Sequence, residues 1–275
     1  MNASTLILHL ELGRSNARLL KLTGDLAERL QATVIGIAGF QPAPVVYGDG
    51  YVPGELIEQD RLAMERSLGA AESEFRGAVH ARGVALEWRS SLTCASLSDH
   101  LAREARAADL LITSAATGDA FDASRSLDIG DLVMHAGRPV LIVPLGVARL
   151  GHERMLIAWK DTREARRAVA DALPLLRLAR EVCVVEIAAE ADLAEARVRV
   201  GDVARWLHRH GIEAIAEVSA SADSDATALL AWARAGCADL IVAGAYGHSR
   251  LREWALGGVT HELIKPADCC SLLSH

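Results

Sequence analysis

Asp239-Leu-Ile-Val-Ala243 followed by Gly244-Ala-Tyr-Gly247-His248-Ser-Arg250-Leu-Arg-Glu-Trp254-Ala-Leu-Gly257-Gly258-Val-Thr260 is the stretch that decides the fold. The apolar run reads as a buried strand, and the residues after Thr260 read as a helix. The glycines therefore fall where a strand hands over to a helix. In open α/β sheets that junction is where phosphates bind. Gly244 and Gly247 would let backbone approach an anion, and Gly257-Gly258 would open a helix whose free N–H groups point at it.

Working outward, the rest of the chain repeats the unit that ends in this stretch. Leu6-Ile-Leu-His9-Leu10 matches Met155-Leu-Ile-Ala158-Trp159, and each leads into an Arg/Ala/Leu-rich helical pattern. His80-Ala-Arg-Gly83 matches His208-Arg-His210-Gly211, and Ala107-Ala-Asp-Leu-Leu-Ile-Thr113 matches Cys237-Ala-Asp-Leu-Ile-Val-Ala243. Arg138-Pro139-Val140 to Val143 corresponds to the run beginning at Cys270. Each copy alternates short, continuously apolar runs with amphipathic segments, which predicts a parallel sheet covered by helices on both faces.

In the second copy the strands are expected at 154–159, 181–187, 213–218, 238–243 and 270–273. Helices are expected over 162–178, 192–210, 224–235 and 258–265. Thr162 is positioned to cap the first of these, with Ala165 and Ala168 inward, and Gly211 to end the second. The expected division is one unit over 1–148 and another over 149–275. The first copy carries an insertion of about twenty residues at its Pro- and Gly-rich link 39–54, read as a surface loop or lid. Gly48-Asp-Gly50-Tyr-Val-Pro-Gly54 within it imitates a dinucleotide fingerprint, but no strand turns directly into a helix there and its spacing is one residue too long. The last strands, Val140–Val143 and Cys270–Leu273, would be exposed apolar edges unless the two units pair through them.

The 275 residues carry a net charge of −7 and are 51% hydrophobic, which supports a large core and offers no basic stripe for nucleic acid. The N-terminus lacks the pattern of a signal peptide, and no apolar run is long enough for a membrane span, so a cytoplasmic location is expected. Cys94, Cys183, Cys237, Cys269 and Cys270 form no CxxC pair, and reduced, mostly buried thiols are expected.

The Gly244-x2-Gly247-x9-Gly257 spacing, with its flanking strand and Val259-Thr260, resembles the nucleotide signature of the universal stress protein family, and the duplication resembles its tandem type. That resemblance implies two Rossmann-like, adenine nucleotide α-hydrolase-like units, each with a five-stranded parallel sheet. It also implies ATP, or AMP or ADP, held between the ends of the first and fourth strands, with magnesium accompanying ATP. Carried onto this chain, Gly244, Gly247, Gly257, Gly258 and Thr260 would cradle the phosphates. Ala158, Trp159, Asp161, His248 and Arg250 would border the ligand. Gly258 stands where the family places Ser or Thr and offers only a backbone N–H, and Lys160 stands where the family places an acid.

The first copy departs further. Ser114 and Thr117 replace the first two glycines, and Asp131 is read as capping a helix where phosphate would sit, so this copy is expected to have lost the site. His9 is read as a core or rim histidine. His208 and His210, two apart on a helix, do not share a face and do not form a metal site. Trp254 is a second candidate border of the pocket. No nucleophile spacing is present.

Three functions remain open on this reading. One is a stress protein that binds adenine nucleotide and acts by sensing and association. A second is a dimeric scaffold of the same fold without a nucleotide. The third is an enzyme: a PP-loop ligase or a nucleotidase would need a pyrophosphate-gripping loop that Trp159-Lys160-Asp161-Thr162 does not supply, while slow hydrolysis of bound ATP stays open. Expected partners are the nucleotide itself and the intramolecular pair of units, with a homodimer of chains compatible; no nucleic acid or membrane partner is expected.

Overall fold

The computed structural model describes residues 3–40, 54–92, 96–115, 127–220, 225–246, 262–264 and 269–275. The first half runs β1 (Thr5–His9), α1 (Ala17–Leu30), β2 (Thr33–Phe40), α2 (Gly54–His80), β3 (Leu86–Leu92), α3 (Leu97–Glu104), β4 (Leu110–Ser114), α4 (Ile129–His135) and β5 (Val140–Val143). The second runs β6 (Arg154–Trp159), α5 (Arg163–Leu176), β7 (Glu181–Ala188), α6 (Leu193–Arg209), β8 (Ala214–Ala220), α7 (Asp225–Ala235), β9 (Leu240–Gly244) and β10 (Cys270–Ser274), with 262–264 helical.

The strands form one ten-stranded sheet in the order β3-β2-β1-β4-β5-β10-β9-β6-β7-β8. Every neighbouring pair is parallel except β5 with β10, which are antiparallel with Leu141 opposite Leu272. The two apolar edges cover each other as expected, so the two five-stranded sheets become a single continuous one. Val140, Leu141, Leu272 and Leu273 are completely buried at the seam.

The duplication reappears as matched local geometry. The Asp109 carboxylate accepts from the N–H groups of Ser4 and Thr5 at 2.8 and 3.0 Å, and Asp239 accepts from Glu153 and Arg154 at the same distances. Each aspartate ties the start of its fourth strand to the start of its first. β9 begins at Leu240 rather than at 238. Gly83 and Gly211 end the matched helices at φ +69° and +77°, left-handed conformations that favour glycine.

Thr162 caps α5 by accepting from the Ala165 N–H, and Ala165 and Ala168 face inward, as the spacing predicts. Other expectations change. α4 is capped by Asp128, whose extended backbone lets its carboxylate accept from the Asp131 N–H. Asp131 lies within the first turn, where its own backbone is helical and its charge complements the helix end instead of capping it. Of the expected link 39–54, Gly39 and Phe40 belong to β2 and Gly54 begins α2, while 41–53 lies outside the described residues. β8 extends to Ala220, two residues beyond its expected end. Of the described cysteines, Cys183 and Cys270 are buried, Cys269 is half-buried and Cys237 is exposed. Among the described residues no helix is long and apolar enough to cross a membrane.

Two apolar layers sandwich the sheet. One joins α1, α2, α5 and α6 to the sheet and includes Trp159; the other joins α3, α4, α7 and residues 262–264 and includes Ala243 and Ala245.

Candidate functional site

Within the second half, β6 and β9 are neighbours, and the chain leaves them in opposite directions: β6 leads to β7, β9 to β10. The crevice at their carboxyl ends is the switch point where ligands of open α/β sheets bind. Ala158 pairs with Ala243 across the β6–β9 ladder, and Gly244 ends β9. The sheet thus brings Ala158, Gly244 and the start of α5 to one place.

Gly244 has a use that its spacing did not reveal. A Cβ there would fall 2.4 Å from the Ala165 nitrogen and 2.6 Å from the Glu164 carbonyl carbon. The space a side chain would take is therefore filled by the first turn of α5, and glycine is needed there for a close approach of two backbones. Glu164 itself is 3% exposed and accepts from Arg163. Burial alone would raise its carboxyl, but the Arg163 hydrogen bond, its own N–H and the Thr162 hydroxyl hold it below the usual range. At the α5 terminus the Ala165 N–H is taken by the Thr162 hydroxyl and the Glu164 N–H by its own carboxylate.

Beyond Gly244 the backbone bends through Tyr246, whose φ of +62° is unusual for a side chain of this size. Tyr246 packs edge-on against the His275 ring at 6.2 Å, and His275 Nδ1 lies 3.1 Å from the Ala245 carbonyl. Burial pushes the Tyr246 hydroxyl up to about 12, with the charges of Asp128 and Asp131 from the first half adding to the effect. The turn into the glycine motif is therefore held by the C-terminal residue and lies near the seam between halves. Gly247, His248, Arg250, Trp254, Gly257, Gly258 and Thr260 lie outside the described residues.

The other expected residues separate by face. Successive side chains of a strand alternate: Ala158 joins the layer that holds Tyr246 and Leu263, while Trp159 joins the layer of α5 and α6. Asp161 is exposed and paired with Arg166 at 2.5 Å. Trp159 and Asp161 line a cavity between α5 and α6, not the crevice beside Ala158.

The corresponding crevice of the first half is bridged by side chains. Ser114 donates to the Glu11 carboxylate, and His9 Nδ1 lies 3.1 Å from the Thr113 hydroxyl. Asn16 holds the intervening loop by accepting from the Glu11 N–H and donating to the Glu11 carbonyl, both at 3.0 Å. A carboxylate at this mouth disfavours phosphate. His9 is 5% exposed, and burial, followed by the nearby His100, pushes its pKa down to about 4. It is a neutral core residue, as its position suggested. Thr117 lies outside the described residues. On α6, His208 pairs with Glu213 and His210 packs on the Trp206 ring.

Three features were not foreseen: the Glu164 terminus, the Glu11–Ser114 bridge, and the ion pair in which Arg199 Nη2 donates to Glu186 at 2.5 Å. The α6 pattern does carry a signal. Arg199, Val203, Trp206 and Arg209 recur at helical spacing on one face.

No protein-family model and no curated protein matches the chain by sequence. Solved structures do match its fold. A universal stress protein from Archaeoglobus fulgidus DSM 4304 superposes with a TM-score of 0.75 at 15% identity, covering 100% of this chain and 99% of that one. A functionally unknown protein from Pseudomonas aeruginosa PAO1 gives 0.63 at 15% identity, covering 99% and 92%. A putative universal stress protein from Pseudomonas aeruginosa UCBPP-PA14 gives 0.63 at 16% identity, covering 99% and 93%. Full-length superposition, the repeated strand order and the edge-to-edge seam together identify the fold as that of the tandem universal stress proteins.

Proposed function

We propose that the chain is a stress-response protein whose second half binds ATP or a related adenine nucleotide and which acts through sensing and association rather than turnover. The observation that carries this reading is the position of the Gly244-x2-Gly247-x9-Gly257 motif: it leaves β9 at the switch point beside β6. The chain enters that motif through a left-handed residue, Tyr246. The phosphates would rest on the backbone of Gly244, Gly247, Gly257 and Gly258 and on the Thr260 hydroxyl. Lys160, exposed just past β6, supplies positive charge where the family resemblance places an acid.

Titration calorimetry of the full chain with ATP, with and without magnesium, and with ADP and AMP tests the reading. Saturable heat near one equivalent, abolished by Gly247→Val, is expected. Absence of heat with all three nucleotides would refute it.

The buried Glu164 carboxylate beside Gly244 favours a second reading, a scaffold of the same fold that holds no nucleotide. The two readings separate by thermal melting, because a ligand bound only by the native state must raise the melting temperature.

A further inference from the structure

A cavity of about 600 Å³ opens between α5 and α6. Its origin is topological. α5 leans over β9 and β10 while α6 covers β7 and β8, so the outer face of β6 at Trp159 lies between them. Trp159, 9% exposed, lines this gap together with Val169, Val203 and Trp206. Its indole N–H is buried without a partner among the described residues.

In the first half the corresponding helices pack along one another. With His80 matched to His208, Val203 takes the place of Phe75. Phe75 is completely buried, touches the Trp88 ring at a centroid distance of 5.7 Å and fills the space over Gly36. In the second half the place of Gly36 is held by Val184 and that of Phe75 by Val203, a smaller side chain that lines the cavity.

The rim is basic. Arg166, Arg199, Arg205 and Arg209 line the cavity against two lining acids, Asp161 and Asp202. Arg166 pairs with Asp161, Arg205 with Asp202, and Arg199 with Glu186 and Glu195. Arg209 is exposed and has no partner among the described residues.

We propose that the gap between α5 and α6 is a second binding site, separate from the glycine motif, for a small, flat, apolar molecule carrying one negative charge, such as an aromatic carboxylate or sulfonate. The aromatic body packs between Trp159 and Trp206 on Val169 and Val203, and the anionic group pairs with Arg209 at the rim. The volume suits a ligand of this class. Aromatic faces with a small number of placed charges are what such a ligand requires.

The test uses the full chain and 1-naphthalenesulfonate, with 1-naphthalenemethanol as its neutral counterpart, in titrations followed by tryptophan fluorescence and calorimetry. One saturable equivalent of the sulfonate is expected. Arg209→Glu should weaken the sulfonate by about fivefold, the scale of an exposed charge pair, while leaving the alcohol unchanged. Val203→Phe, which enlarges a side chain lining the cavity, should abolish binding of both. Should Val203→Phe misfold, the surface variant Arg209→Glu still decides, since general damage would weaken both probes equally. Non-saturable binding, equal loss of both probes in Arg209→Glu, or displacement of the sulfonate by ATP would overturn the proposal. Gly247→Val, chosen to abolish nucleotide binding, should leave the sulfonate's affinity unchanged, so the two sites stand or fall separately.

Discussion

His9 makes the fold sensitive to acid in a way that can be calculated. In the native chain its pKa is about 4, against 6.5 for the free side chain, because burial and the nearby His100 oppose a charge there. The unfolded chain therefore takes up a proton first as pH falls. Stability from neutral His9 is fully present above about pH 6.5 and is lost progressively as pH drops toward 4, with no further loss below. From the two pKa values, the loss between pH 8 and pH 5 is about 2 kcal/mol, and the limiting loss is about 3 kcal/mol. Urea unfolding of the parent and of His9→Asn at both pH values isolates this share. Asparagine keeps a hydrogen-bonding atom toward Thr113 but does not titrate, so its packing loss enters equally at both pH values. Burial also lowers His100 and His152, but both remain in the variant and cancel from the comparison. The parent should lose about 2 kcal/mol more than the variant on going from pH 8 to pH 5. Losses equal within about 0.5 kcal/mol would show that His9 is protonated in the native state and refute the reasoning.

Two further substitutions probe the second half. Gly244→Ala places a methyl 2.4 Å from helix backbone that cannot yield, and should cost roughly 1–3 kcal/mol or more in urea unfolding. Gly69→Ala, inside α2 with open space at its Cβ, should instead stabilise by about 0.5–1 kcal/mol and serves as the control. Glu186→Gln leaves Arg199 without its buried partner and should cost about 2–3 kcal/mol, below the fully buried limit because Arg199 is partly exposed. A double-mutant cycle with Arg199→Met checks this and should show coupling between the two sites.

The repeat made the architecture legible before any coordinates. Strands buried on both faces leave continuous apolar runs, and Asp109 and Asp239 recur with the fourth strands they anchor, so element order, capping at Thr162 and the paired edges could all be read. Local chemistry at the ends of elements was less legible. The choice between Asp128 and Asp131 as a cap depends on which residue leaves helical backbone angles, and both lie within a few positions in the sequence. The role of Gly244 depended on what approaches it, and α5 is contributed by residues some eighty positions earlier.

By itself the sequence determined two copies of an α/β unit, a glycine motif after the fourth strand of the second, and a histidine at the end of the first strand, because these are periodic or local patterns. Only the tertiary structure decided that Gly244 meets the first turn of α5, that Ala158 and Trp159 serve different faces, and that α5 and α6 stand apart where α1 and α2 pack along one another. Those outcomes depend on how the helices are spaced over the sheet, which is set by packing across the whole layer and is absent from any local pattern.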